Sequence, residues 1–339
     1  MQIKNLFNYA PKELSQDAFI MWILDNYDCE ELKDVAYDFI CFLTKNKVNI
    51  RDSAFKKLNV WSQVAHMDVG CDFYFDGDEK YATKYLVIED KVGSSQHNNQ
   101  LEKYNTTINN WDKRAKKGSR AIKVYYKTTP TNDWEEKRVS VAGWTLIPFD
   151  EIVRFWEKYQ SHPNQIVSFY ASHICSVGES SKATSKPSTN DLLAWGSYFK
   201  KTIIPELEKR GLNANFVCDQ TRYGYTYLNI YPKGRNNDKT PYLEIRSRDI
   251  LESDYLARIL KYGKNIDGDS LNALRQAIAD NCSGIFKANW GKKQVQQAGR
   301  TKNNALSCVN EDALVESILL SAKEYLKIVS DWESRINNR

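Results

Sequence analysis

An acidic residue two positions before a lysine is a pairing that can serve phosphodiester chemistry, and this chain repeats it at Glu31/Lys33, Asp78/Lys80, Glu89/Lys91 and Glu135/Lys137. Context separates the four. Glu31 falls in a stretch with helical spacing, where positions two apart face different directions. Asp78 sits in the turn signal Asp76-Gly77-Asp78, and Glu135 reads as part of a polar loop. Only Glu89-Asp90-Lys91 directly follows an apolar strand run, Leu86-Val87-Ile88. On a strand the side-chain period is two, so Glu89 and Lys91 point to one side. Upstream, Asp72 interrupts Val69-Gly70-Cys71-Asp72-Phe73-Tyr74-Phe75. If the two strands form a hairpin, Asp72 approaches Glu89, and two carboxylates that close need a cation between them.

Hard divalent cations favour oxygen ligands, and Mg2+ keeps several waters. The expected ligands of Mg2+ (or Mn2+) are therefore Asp72, Glu89 and the backbone carbonyl of Asp90. Such an ion lowers the pKa of its water and offsets charge growing on a phosphate. Lys91, beside two carboxylates, stays protonated and is read as a charge stabiliser rather than a general base. Asp68 is a rival ligand, but it stands at the strand entrance, away from the apolar centre, so Asp72 is preferred.

Asp72, Ile88-Glu89-Asp90-Lys91 and the downstream Gln100-Leu101-Glu102-Lys103-Tyr104 together resemble the PD-(D/E)xK nuclease superfamily, in the branch with an Ile-Glu-x-Lys strand followed by Gln-Leu-x-x-Tyr on a helix. The resemblance covers about residues 10–155. It implies that Gln100 contacts the metal-bound water or the scissile phosphate, that Tyr104 supports it four residues along one helical face, and that Glu13 on the first helix reaches the site. It also implies a restriction-endonuclease-like fold. Cys71 stands before Asp72 where the family often has proline.

The elements that must hold these residues are legible in outline. Ser15-Gln16-Asp17 reads as the cap of a helix carrying Phe19, Ile20, Trp22, Ile23 and Leu24, and Glu30 to Lys45 reads as a second helix. Asn98 to about Ala115 suits a helix between strands, Ala121–Tyr126 and Trp144–Ile147 suit strands, and Pro148-Phe149-Asp150 opens another helix. This is an α/β pattern with a mixed sheet flanked by helices. Ser176 to Asn190 is rich in small polar residues and is read as a linker. The expected organisation is a nuclease domain over 1–175, a linker over 176–190 and an α+β domain over 191–339. In that last part strands are expected near Asn215–Cys218, Gly224–Tyr231 and Tyr242–Arg246, with helices near Asp191–Arg210, Ser253–Lys261, Ser270–Asp280 and Glu311–Trp332.

At 339 residues and 42% hydrophobic content the chain can build two soluble cores. No apolar run is long enough for a membrane span, and no signal-peptide pattern opens the sequence. Seven cysteines, scattered and without a CxxC pair, suit reduced thiols in a cytoplasm. The net charge is +5, with cations clustered in two places. One cluster includes Lys113, Lys116 and Lys117. The other is the acid-free stretch from Asn281 to Asn310, where Lys292 and Lys293 adjoin Trp290 and where Gly291 and Gly299 suggest a flexible loop. Both clusters are candidate nucleic-acid contacts.

The sequence thus leads to a divalent-metal nuclease acting on DNA, whose C-terminal domain binds nucleic acid, a protein partner or a second copy, an arrangement that would suit a defence system. The alternative is a catalytically silent nuclease-fold protein that binds nucleic acid or regulates.

Overall fold

The computed structural model of the chain describes residues 5, 7, 13–76, 82–93, 99–114, 121–131, 133–221, 224–234, 240–253, 258–261, 266–281, 285–289, 297–301 and 308–337. The chain divides into two compact units, Met1–Glu179 and Ser180–Arg339.

The first unit is built on strands β1 (Phe55–Val64), β2 (Met67–Phe75), β3 (Lys84–Lys91), β4 (Ala121–Lys127) and β5 (Thr145–Ile147), in that spatial order. β1, β2 and β3 pair antiparallel, while β3, β4 and β5 are parallel. Helices α1 (Glu13–Asp25), α2 (Lys33–Thr44), α3 (Gln100–Arg114), α4 (Asp133–Val141), α5 (Phe149–Glu157) and α6 (Gln165–Ser180) complete it. The parallel pairs require crossovers, which α3 and α4 supply. Helices α1, α2, α5 and α6 bury one face of the sheet around Leu86, Ile88, Phe39 and Trp156. Residues of α3 and α4 bury the other, with Val87, Tyr85, Leu101 and Tyr125. β3 is covered on both faces, which is why every residue from Tyr85 to Lys91 is buried. This mixed, helix-flanked sheet is restriction-endonuclease-like.

Several expectations change. α1 begins at Glu13, so Gln16 and Asp17 are not a cap but buried residues of the first turns. Glu135 is not in a loop: it lies on α4, wholly buried. α6 runs to Ser180, so the first residues of the expected linker are helical.

The second unit carries a six-stranded antiparallel sheet of β6 (Ala214–Gln220), β7 (Thr226–Pro232), β8 (Tyr242–Arg246), β9 (Arg258–Lys261), β10 (Phe286–Ala288) and β11 (Gln297–Thr301), ordered β10-β11-β9-β8-β7-β6. Its helices are α7 (Leu192–Tyr198), α8 (Ile204–Lys209), α9 (Ser247–Leu251), α10 (Gly268–Asp280) and α11 (Glu311–Asn337), with a π-helical turn at Phe199–Ile203. A helix was expected over Ser253–Lys261; the end of that segment is instead strand β9, because Leu243–Ile245 of β8 offers it a ladder partner. Gly299 is not a loop glycine: it stands in β11, where an added Cβ would come within 3.0 Å of Ile278 and 3.1 Å of the Lys287 carbonyl. Among the described residues no helix is long and apolar enough to cross a membrane.

Candidate active site

The register of β2 on β3 decides which acids meet. Val69 pairs with Ile88, Cys71 with Leu86 and Asp72 with Tyr85. This alignment sends Val69, Cys71 and Phe73 into the same core as Leu86 and Ile88, and a one-residue slip would turn that set toward the other face. Continued by one residue, the same register sets Asp68 opposite Glu89. Asp72 is four residues further along, about 13 Å at the strand rise of ~3.3 Å per residue. The expected approach of Asp72 to Glu89 therefore does not occur. Asp72 instead accepts a hydrogen bond from Trp61 Nε1 at 3.2 Å. Trp61 crosses β2 at Gly70, where a Cβ would lie 2.2 Å from the ring, so only glycine lets the indole reach Asp72.

Around the end of β3 the structure gathers Glu13, Asp68, Glu89 and Lys91. Lys91 Nζ stands 2.5 Å from Glu89 Oε1, 3.8 Å from Asp68 Oδ2 and 3.9 Å from Glu13 Oε2. It also donates to the Asp90 carbonyl at 2.8 Å, so that carbonyl, expected to face a metal, is engaged by the ammonium. Asp68 Oδ2 accepts from the Asp90 backbone N–H at 3.1 Å. Glu89 is fully buried; its Oε1 is ion-paired with Lys91, while its Oε2 accepts no hydrogen bond. Burial pushes the Glu89 carboxyl up to about 8; Asp68 adds to this, and Lys91 opposes it without prevailing. Burial alone would lower Lys91, but Glu89 and Asp68 outweigh it and hold the ammonium above its ordinary value.

Asp90 points to the opposite face, toward α1. Gln16 Nε2 donates to its Oδ1, and Thr128, next after β4, donates to Gln16 Oε1 at 2.8 Å. Asp17 lies against Asp90. Burial, then the charge of Asp68, raises Asp17 to about 6, and burial with Asp17 raises Asp90 well above its ordinary value. The pair can hold one proton between them.

From α3, Gln100 Nε2 donates to Tyr104 Oη at 2.6 Å, and Tyr104 donates to the His66 carbonyl at 2.5 Å. Tyr104 thus braces the two-residue turn from β1 into β2, where Ala65 and His66 both take positive φ, 52° and 69°. That conformation usually selects Asn or Gly. Burial, then the charge of Glu89, lifts the Tyr104 hydroxyl above its ordinary value. Lys113 is exposed on α3. Lys116, Lys117, Trp290, Lys292 and Lys293 lie outside the described residues.

Beside the acids, β4 carries residues that sequence patterning missed. Tyr125 and Lys127 pair in register with Glu89 and Lys91. Both reach Glu135: the Tyr125 hydroxyl donates at 2.6 Å and Lys127 Nζ at 2.7 Å, all three being buried. A polar end to an otherwise apolar β4 was the available signal.

The family model of the PD-(D/E)XK nuclease superfamily matches residues 4–176. The chain belongs to the PD-(D/E)XK nuclease superfamily. No curated protein and no solved structure matches it. Members of the superfamily are nucleases that typically use divalent metals, which implies a nucleic-acid substrate. The donor set here fits such an ion: two carboxylates meet across β2 and β3, and Glu89 Oε2 is buried and accepts no hydrogen bond. Among the described residues no group of three or more His, Cys, Asp or Glu side chains is placed to hold a metal ion.

Proposed function

We propose that this chain is a divalent-metal nuclease acting on DNA, with Asp68 and Glu89 holding Mg2+ or Mn2+ and Lys91 as the charge-stabilising group. The observation that carries the reading is the meeting of Glu89 and Asp68 across the β2–β3 ladder beside Lys91, with Glu89 Oε2 buried and accepting no hydrogen bond. Lys91 alone does not offset the burial of that carboxyl, which keeps its proton near neutral pH until a further cation takes the proton's place. When bound, the ion supplies Lewis acidity, making water acidic enough to attack and offsetting phosphate charge.

The protein's own residues then do the rest. Lys91 keeps its proton and would answer the negative charge that develops on a bound phosphate. Its hydrogen bond to the Asp90 carbonyl fixes its direction. Asp68 is aimed by the Asp90 N–H, and Asp90 is anchored in turn by Gln16. Glu13, half-exposed at the mouth, reaches the lysine from α1. Gln100, whose amide donates to the Tyr104 hydroxyl, would be the group on α3 that meets substrate. Cysteines that remain free thiols among the described residues support a cytoplasmic setting.

The test is incubation of the full chain with labelled single- and double-stranded DNA and RNA, with Mg2+, Mn2+ or EDTA. Metal-dependent cleavage that Glu89→Gln and Lys91→Ala each reduce by about a hundredfold or more supports the reading. Retained cleavage in both folded variants sinks it. No cleavage under any condition favours a silent nuclease fold.

A further inference from the structure

Helix α4 turns one side inward and keeps an outer side that the core does not use. Glu135 and Val139 are buried, Glu135 against Tyr125 and Lys127. Trp134, Arg138 and Val141 recur at i, i+4 and i+7, which lines them along one side of the helix, with Lys137 beside them. Trp134 is 57% exposed and Val141 79%. An exposed valine is ordinary, but tryptophan is on average highly buried, so an indole more than half in water needs a cause.

That side is aromatic and cationic. The Arg138 guanidinium lies 4.8 Å from the centre of the Trp134 ring, and its Nη2 donates to Asn99 Oδ1 at 3.1 Å. Arg138 is thus held by an indole and a neutral amide, and among the described residues no carboxylate pairs with it. Glu136 points to another side of α4, since positions two apart do not share a face, and its Oε1 accepts from the Thr131 hydroxyl at 2.6 Å. The stripe also borders the acids. Asn99 directly precedes Gln100, whose amide donates to Tyr104, and the charge of Glu89 reaches the Tyr104 hydroxyl. Next to Trp134, Glu135 grips Tyr125 and Lys127, the β4 partners of Glu89 and Lys91.

We propose that Trp134 and Arg138 form a platform beside the active site, on which an unpaired base of the substrate strand stacks while Arg138 and Lys137 meet neighbouring phosphates. Every base has a face to lay on an aromatic ring, and a guanidinium packed on that ring keeps N–H groups for phosphate oxygens. On the nuclease reading, the molecule that comes to these acids is a strand of bases and phosphates, and it matches both halves of the stripe. An apolar protein surface would bury Arg138 and Lys137 with no acid to answer them. A duplex hides its base faces in its own stack, so the platform selects a single strand or a frayed end. The proposal rests on the chain being a nuclease and names what its site selects: an unpaired base near the cut.

The test uses the full chain in EDTA, so that metal-dependent cleavage cannot intrude. Fluorescence anisotropy compares a labelled oligothymidylate, an abasic oligomer of equal length and a duplex. The oligothymidylate should bind most tightly. Trp134→Ala should weaken its binding about five- to a hundredfold, the range of one lost base stack, and leave the abasic oligomer unchanged. Trp134→Tyr, which keeps a ring, should bind within about threefold of the parent. Lys137→Gln with Arg138→Gln should weaken both single-stranded ligands and flatten their salt dependence by one to two counterions' worth. Melting temperatures establish that each variant is folded. Parental affinity of Trp134→Ala for oligothymidylate, an equal loss on the abasic oligomer, or no binding of oligothymidylate by the parent overturns the proposal. So does a Trp134→Ala chain that passes from dimer to monomer in sedimentation while binding DNA as the parent does, because the stripe would then join two copies. Absence of metal-dependent cleavage by the unsubstituted chain would instead sink the nuclease reading and leave these binding ratios standing.

Discussion

On the proposed assignment of Glu89 as a metal ligand, binding of the ion exchanges for a proton, and the size of the exchange follows from the surroundings of Glu89. Burial is the largest influence on this carboxyl and Asp68 reinforces it, so it titrates near 8 despite Lys91 at 2.5 Å. The sign follows directly: below that value the metal-free protein keeps a proton where a cation must sit. With a pKa of about 8, roughly 1% of the sites are deprotonated at pH 6, about 9% at pH 7 and about half at pH 8. The apparent affinity for Mn2+, measured by calorimetry or electron paramagnetic resonance without DNA, should therefore rise about fiftyfold from pH 6 to pH 8. Calorimetry in buffers of different ionisation enthalpy should show close to one proton released per ion near pH 6. Lys91→Met removes the influence that opposes burial, so the rise should continue to higher pH. The same raised value means that protonated Glu89 favours the metal-free fold, a contribution that fades as pH rises through about 8. An affinity that changes less than about threefold between pH 6 and pH 8, with no proton released, would refute this account of the site.

Three further outcomes follow from the geometry. Asp68→Asn should cut cleavage about a hundredfold or more at saturating metal, while Asp72→Asn, about 13 Å along the ladder, should retain most of it; steady-state rates on DNA decide between them. Gly70→Ala places a Cβ 2.2 Å from the Trp61 ring and should destabilise the first unit by about 1–3 kcal/mol, read from urea unfolding. Glu135→Ala strands the buried Lys127 ammonium and the Tyr125 hydroxyl and should cost about 3–5 kcal/mol. The paired change Lys127→Met with Glu135→Leu, which removes both charges, should be milder in the same measurement.

The chemistry of the site was largely legible in one dimension because it depends on local periodicity. Glu89 and Lys91 share a side by the alternation of a single strand, and Gln100 and Tyr104 share a helical face by the spacing of one turn. The apolar run before Glu89 marked the strand that the fold covers on both faces. Which aspartate meets Glu89 was a different matter. Both Asp68 and Asp72 lie on β2 with the same alternation, so each points to the Glu89 side, and nothing within that strand distinguishes them. The choice belongs to the β2–β3 register, which is set by packing Val69, Cys71 and Phe73 against α1, α2 and the neighbouring strands, contacts between residues far apart in sequence. Glu135 escaped for the same reason. Its polar neighbours look like a loop until α4 folds over β4 and buries it against Lys127 and Tyr125. The tyrosines of the second sheet were hidden likewise, because three strands must pair before Tyr227, Tyr242, Arg246 and Lys261 share one face. Short-range periodicity wrote the reactive groups into the chain; long-range register and burial chose their partners.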